Sequence, residues 1–438
     1  MTARQTIAWL RQYESRNVTF TEADGSWPIV WERARGVHVW DANGKKYLDL
    51  TAAFGVAAAG HANPNVVRAG QKQMAKLLHA MGDVHPHTRK AELARELSRL
   101  TFERWTGQKR KAESEKRKQG KVIFSNSGFE AVESALKTAM LATKKNGVIA
   151  FEGGYHGLGY GALNATHREH FRQPFRSQLR AFGHFAKFPA TETDLKPLAT
   201  ALRKIFRREK IGAILVEPIQ ARGGINVPPP NFLPLLRKHC DEFGALLITD
   251  EIYTGFGRTG KWFACEHSGV IPDLICLGKA LTGGFPLSAC VGRAGLMDAA
   301  WPTSTGEAIH TSTFLGHPVG CAMALAEISE IRRLKLCERS AQIGKFLRAE
   351  LSKVQSPKSK VICSPRGLGL MAGIELTFPD SKPATEVALS AIKKLLHRGY
   401  IFLPEGEHAN VISFTPSLTI SQAQLAKAVA ELVKVLTE

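Results

Sequence analysis

The sequence predicts an α/β protein: a large unit around a mostly parallel sheet, and a smaller α+β unit built from both ends of the chain. Three observations carry that reading. The runs Val148-Ile149-Ala150-Phe151, Ala213-Ile214-Leu215-Val216 and Ala245-Leu246-Leu247-Ile248 are apolar throughout, as strands covered on both faces are. Helical patterns, with apolar residues three and four apart, alternate with such runs. The two ends of the chain read differently, as short strands and long helices outside that alternation.

Taken in order, residues 29 to 50 read as a small β unit. Gly36-Val37-His38-Val39-Trp40-Asp41 leads through an Asn43-Gly44 turn to Tyr47-Leu48-Asp49-Leu50. Val122-Ile123-Phe124 is the next strand, followed by a helix with apolar positions Val132, Ala135, Leu136, Ala139 and Met140. The three apolar runs follow, then Leu274-Ile275-Cys276-Leu277 and Ala289-Cys290-Val291 as further strands. After His317 come long helices and short strands such as Leu370-Met371-Ala372-Gly373-Ile374-Glu375. Ser421 and Gln424 form a capping box for a last helix whose apolar face is Leu425, Val429, Leu432 and Leu436. The expected division gives 1–55 and 317–438 to the smaller unit and 56–316 to the larger one.

Composition narrows the function classes. At 438 residues, 44% hydrophobic and 22% charged, the chain is ordinary for a soluble globular protein. It has no run of about eighteen apolar residues, so a membrane-spanning helix is not expected. Arg4 and Arg11 interrupt the N-terminal stretch, which lacks the features of a secretory signal, and a cytoplasmic location is the expectation. The seven cysteines are scattered without a Cys-x-x-Cys pair, which argues against a zinc or redox motif. The net charge of +20 admits a nucleic-acid binder. Residues 109 to 121 carry seven Lys or Arg against two Glu, but no aromatic residue interleaves them to stack on a base. A solvated surface excursion with weak, salt-sensitive adhesion to polyanions is the favoured reading, with no specific nucleic-acid partner.

Three pieces with chemical character fall at the carboxyl ends of predicted strands, where open α/β sheets bind ligands. In Ser125-Asn126-Ser127-Gly128-Phe129-Glu130, amides at a helix start and the Ser127 hydroxyl suit a phosphate, although Ser-Gly also makes ordinary caps. In Ile248-Thr249-Asp250-Glu251-Ile252-Tyr253, a carboxylate closes an apolar strand and needs a partner, for which a pyridinium nitrogen is suitable. In Leu277-Gly278-Lys279-Ala280-Leu281-Thr282-Gly283-Gly284, a lone lysine stands among apolar residues and glycines. It is poorly placed for solvent and well placed for a Schiff-base amine.

With these residues in view, the chain resembles the class III aminotransferases of the type I pyridoxal-phosphate fold over nearly all its length. The segment Asp250-Glu251-Ile252-Tyr253-Thr254-Gly255-Phe256-Gly257-Arg258-Thr259-Gly260, with Lys279 following 29 residues after Asp250, is close to that family's signature. Glu217-Pro218-Ile219-Gln220, Gly154-Tyr155-His156-Gly157 and Thr313-Phe314-Leu315-Gly316-His317-Pro318 are similar to its other motifs, in the family's order. The resemblance implies pyridoxal 5'-phosphate on Lys279, Asp250 at the ring nitrogen, and Ile252 and Tyr155 on the two ring faces. It implies Ser127 and Gly128 at the phosphate, with Thr313 reaching in from the second subunit of a homodimer. Gln220 is expected near the ring hydroxyl, Glu217 toward the substrate, and Phe54 and Arg222 at the substrate itself. No metal is implied, and His156 gains no definite role.

Two departures from the family bear on substrate. Relatives that act on ornithine, acetylornithine or 4-aminobutyrate have Arg where this chain has Leu158. They also pair a Glu two residues after the Gln with an Arg near the C-terminus, where this chain has Arg222 and Ser413. Arg222 then either supplies a carboxylate-binding cation from another wall, or it faces solvent or pairs with a protein carboxylate. Phe129, where relatives usually have a small residue, narrows the phosphate side or fills core. The expected activity is an ω-aminotransferase moving an amino group from an amine, diamine or ω-amino acid to a keto acid such as pyruvate or 2-oxoglutarate. A racemase, aminomutase or decarboxylating transaminase on the same scaffold is the alternative, and a non-catalytic nucleic-acid binder the second.

Overall fold

The structure is a computed structural model, and it describes residues 1–107, 119–355 and 361–438. Most of the basic stretch weighed above lies outside the described residues. Near the N-terminus, β1 (Trp31–Arg35), β2 (His38–Asp41) and β3 (Lys46–Asp49) form an antiparallel meander. Its Asn43-Gly44 turn is held by Asp41, whose Oδ1 accepts the N–H groups of Asn43 and Lys45 at 2.9 Å each. Gly44 takes φ +83, open to glycine at little cost.

The central sheet has seven strands: β4 (Gly120–Ser125), β5 (Gly147–Phe151), β6 (Gly183–Ala186), β7 (Ile211–Val216), β8 (Leu246–Asp250), β9 (Leu274–Leu277) and β10 (Ser288–Arg293). Their order is β4-β10-β9-β8-β7-β5-β6, and only β10 runs against the rest. Alternate residues of each strand face opposite sides, which explains why the apolar runs are unbroken. On one side Val148, Ala150, Ala213, Leu215, Ile248 and Cys276 pack against the helix Gly128–Thr143. On the other, Ile149, Phe151, Ile214, Val216, Leu247 and Ile275 share a core with the helices Leu195–Arg208 and Phe232–Phe243. Strand β6, Gly-His-Phe-Ala, was not expected. It is an edge strand, mostly half-buried, and so has no need of an apolar run.

Toward the C-terminus follow the helices Pro318–Arg333 and Leu336–Leu351, then β11 (Ile362–Leu368), β12 (Met371–Thr377), β13 (Tyr400–Ile401), β14 (Leu403–Glu405) and β15 (Val411–Phe414). Strand β13 joins the N-terminal meander in parallel with β3, and the other four form the sheet β11-β12-β15-β14. Both ends of the chain thus meet in one small sheet. The last helix, Gln422–Thr437, starts at a Ser421–Gln424 capping box and buries Leu425, Val429, Leu432 and Leu436.

Candidate active site

Five strand ends deliver the chemistry to one edge of the central sheet. Strand β4 leads to Ser127 and Gly128, β5 to Tyr155 and His156, β7 to Glu217, β8 ends on Asp250, and β9 leads to Lys279. They face a cavity of about 440 Å³ lined by Gly128, Tyr155, Glu217, Asp250, Ile252, Lys279 and Arg222, among others. This is the location expected for a ligand in an open α/β sheet.

Asp250 is 4% exposed, and its carboxylate is held from two directions. His156 Nδ1 lies 2.8 Å from Oδ2, and the Ile252 N–H donates to Oδ1 at 3.1 Å. Imidazole, carboxylate and whatever faces the carboxylate from the cavity therefore form one chain of polar contacts. Lys279 has φ +42, a left-handed conformation that side-chain-bearing residues seldom adopt. Its Nζ stands 4.7 Å from the centre of the Tyr253 ring. Burial pulls its pKa below that of an ordinary lysine, although Asp250 and Glu217 act in the opposite sense.

Glu217 Oε1 accepts the Tyr155 N–H at 2.9 Å and Oε2 the Ala221 N–H at 3.1 Å. Burial nevertheless pushes its pKa up to about 7. The Tyr155 ring meets Phe171 edge-on at 5.6 Å. Opposite stands Arg222, whose Nε lies 3.5 Å from Oε2 of Glu405, so of the two readings of Arg222 the pairing with a protein carboxylate is present. The guanidinium also lies 5.6 Å from the Tyr155 ring and 6.0 Å from that of Phe54. Leu158 lines the cavity half exposed, and Phe129 lines it too, packed over Gly157 and Gly159 rather than in the core.

At the amino end of the helix Gly128–Thr143, the Ser127 N–H and hydroxyl both donate to Glu130 Oε2, at 2.7 and 2.8 Å. The N–H groups of Gly128 and Phe129 have no acceptor among the described residues, leaving them directed beyond the helix for an anion. A Cβ at residue 128 would come within 3.1 Å of the Ile252 side chain, so only glycine leaves this corner open.

Four expected residues are not brought to the cavity lining, the first being Ser127, whose N–H and hydroxyl are spent on Glu130. Gln220 is buried with its amide engaged on the protein: Nε2 donates to Glu152 O at 2.7 Å, and Oε1 accepts from Asn226 Nδ2 at 3.0 Å. Thr313 is exposed on the chain's surface. Phe54 lies in a neighbouring apolar groove and meets the cavity only through Arg222. Two residues without a sequence-level role sit at the centre instead, His156 beneath Asp250 and Glu405 behind Arg222. The Glu251 beside Asp250 is a structural pin, accepting the Ala264 and Cys265 N–H groups at 2.8 Å each.

A free lysine amine, a buried carboxylate suited to a ring nitrogen, and an open helix N-terminus suited to a phosphate occupy one sheet edge. That combination defines a pyridoxal-phosphate enzyme of the type I fold. The family model for class-III aminotransferases matches residues 19–436, and the chain belongs to that family. It is 40% identical over 358 residues to the acetylornithine aminotransferase of Methanosarcina mazei, covering 82% of each chain. Over 425 residues it is 37% identical to the 5-aminovalerate aminotransferase of Pseudomonas aeruginosa, covering 94% of each. The solved structure of an omega-transaminase from Thermomicrobium roseum matches with a TM-score of 0.88 at 26% identity, over 100% of both chains. The protein is therefore a pyridoxal-phosphate-dependent aminotransferase, with an amine donor and a keto-acid acceptor. Among the described residues no helix is long and apolar enough to cross a membrane.

Proposed function

We propose that the protein is an ω-aminotransferase in which Lys279 carries the cofactor and moves the reacting proton. Arg222 receives a carboxylate of the acceptor, a keto acid such as pyruvate or 2-oxoglutarate. The observation that carries this reading is the convergence of Lys279, Asp250, Glu217 and Arg222 on one cavity. When bound, the cofactor supplies the electron sink that lets a proton leave the amine-bearing carbon. Asp250, held by His156 and the Ile252 N–H, keeps a proton on the facing ring nitrogen. Ile252 and Tyr155 would pack on the two ring faces, while the Gly128 and Phe129 N–H groups would hold the phosphate at the helix N-terminus, with Ser127 joining them once its hydroxyl leaves Glu130. The lowered pKa of Lys279 raises the neutral fraction of its amine, so that it can accept a proton and return it in the second half of a ping-pong exchange. Glu217 faces the substrate side, Gln220 braces the ring-hydroxyl side through Glu152 and Asn226, and Phe54 borders the substrate entrance.

The site is completed in a homodimer, with Thr313 of a second copy at the phosphate. Supporting this, the exposed Leu78, Met81, Val84, Ile309 and Phe314 belong to two segments that meet. Thr311 Oγ1 donates to Asp83 at 2.7 Å, and His79 meets Phe314 edge-on at 5.3 Å. An apolar strip of that kind is suited to a partner. A reducing, cytoplasmic setting is supported by seven free cysteines, six of them buried.

The test is the absorbance spectrum of purified protein with pyridoxal phosphate, before and after adding amines without a keto acid. A visible band absent from Lys279→Ala, and bleached by particular amines, is expected. No band after incubation with the cofactor overturns the assignment of Lys279. Turnover of an amino acid with no keto acid present would instead point to a racemase or mutase.

A further inference from the structure

Glu405 ends β14 and is 3% exposed, yet it is not held as the neighbouring buried carboxylates are. Glu217 and Glu251 each receive N–H groups on both oxygens. The Glu405 carboxylate receives no hydrogen bond among the described residues. Its one ionic contact is Arg222, at 3.5 Å through Nε, a nitrogen that is itself buried without a hydrogen-bond partner. Such a pair keeps its Coulomb attraction but lacks the hydrogen bonds that complete a buried ion pair, and burial pushes the Glu405 pKa up to about 7 despite the guanidinium. Arg222 is also loosely anchored. Its side chain is 33% exposed, and its remaining contacts are the ring faces of Phe54 and Tyr155. Ser413, opposite Leu403 on β15, spends its hydroxyl on Leu403 O and brings no second cation. Lys279, Glu217 and Arg168 complete the charged groups that Glu405 senses, so its carboxylate belongs to the field of the reacting amine.

We propose that Glu405 is a specificity-determining residue that receives the distal ammonium of an alkyl diamine donor. Arg222 swings toward the cavity mouth to admit it and returns to Glu405, or binds a carboxylate, when a keto acid takes the donor's place. A second ammonium completes a buried carboxylate that Arg222 satisfies poorly. A monoamine of the same length leaves the pair undisturbed and gains nothing from it. The inference rests on the Lys279 cavity being the transamination site, and goes beyond that reading by naming the group that selects the donor.

The experiment is the donor half-reaction of the holoenzyme without keto acid, followed spectroscopically across donor concentration. This separates the donor's dissociation constant from the rate of the chemical step. The donors are putrescine, butylamine and N-acetylputrescine, whose distal amine is masked. Wild type is expected to bind putrescine at least about tenfold more tightly than either control, and Glu405→Gln to remove that preference by weakening putrescine alone. Butylamine binding in the variant should stay within about twofold of wild type. Equal binding of putrescine and butylamine by wild type overturns the proposal while leaving the transamination reading intact. Uniform weakening of both donors in a variant of unchanged melting temperature overturns it as well. Reaction with none of the three donors, with no cofactor band, overturns the transamination reading and this proposal together. If Glu405→Gln does not fold, equal binding of putrescine and N-acetylputrescine by wild type still overturns the proposal, and Glu405→Asp, expected to weaken putrescine alone, carries the assignment to this residue.

Discussion

His156 supports Asp250 from beneath the cavity floor, and the two are 94 residues apart in sequence. Asp250 was legible because a carboxylate ending an apolar strand is costly without a partner. His156 was not, because one histidine in a glycine-rich turn carries no signal of what lies under it. Arg222 and Glu405 show the same limit: the cation stood out against its motif, but its acidic partner lies on a strand far along the chain. Asp250→Asn should lower kcat/KM by about 10²–10³ while leaving the melting temperature nearly unchanged, as a thermal scan beside steady-state kinetics would check. A different buried acid bears on stability. Glu327 accepts the Ala59 N–H at 2.9 Å on Oε1, but Oε2 is buried without a partner, and burial pushes its pKa up to about 8. The fold then holds a proton that the unfolded chain releases, so this group's contribution to stability is full below the ordinary carboxylate range and is lost as pH rises through about 8. Glu327→Gln should be more stable than wild type by roughly 1–3 kcal/mol at about pH 9, with the gap closing near pH 5, as denaturant unfolding at the two pH values would show.

Elements with a strict pattern were read correctly, and the irregular ones were not. Strands β5, β7, β8 and β9 are covered on both faces, and that burial wrote itself into the sequence as unbroken apolar runs. Strand β6 is on the edge and left no such mark. Gln220 looked like a ligand from its motif, but its amide is spent on Glu152 and Asn226, a satisfaction that only the folded loop reveals. The Ser421–Gln424 box was explicit in sequence because capping depends on a fixed local spacing. Ser421→Ala should cost about 1 kcal/mol in denaturant unfolding and leave activity untouched. At the other helix start, Gly128→Ala should weaken cofactor affinity by about tenfold in a fluorescence titration, since the added methyl group meets Ile252 at 3.1 Å. Wild-type affinity in that variant would place the phosphate elsewhere.

The molecule as a whole carries a charge of +20, and neither the fold nor the family supplies a use for it. Retention on heparin should fall steeply between low and moderate salt, and deleting residues 109 to 118 should reduce it while kcat stays within about twofold. A retained partner that survives high salt, lost on that deletion, would point to a specific site. The two ends of the chain, joined in one small sheet by β3 and β13, were legible only as two unlike tails, because their pairing spans most of the sequence. A similar long connection sets the order of assembly in the central sheet. Strand β4, which carries the phosphate corner, has β10 as its only lateral neighbour among the described residues, and β10 links it to the strand before Lys279. Because β10 ends at Arg293, a nascent chain cannot close the sheet between that corner and the lysine until this residue has left the ribosome; before then the helix Gly128–Thr143, packed on β7, β8 and β9, holds the two together. A chain stalled before Ser288 therefore carries both halves of the site on a sheet with a gap where β10 belongs.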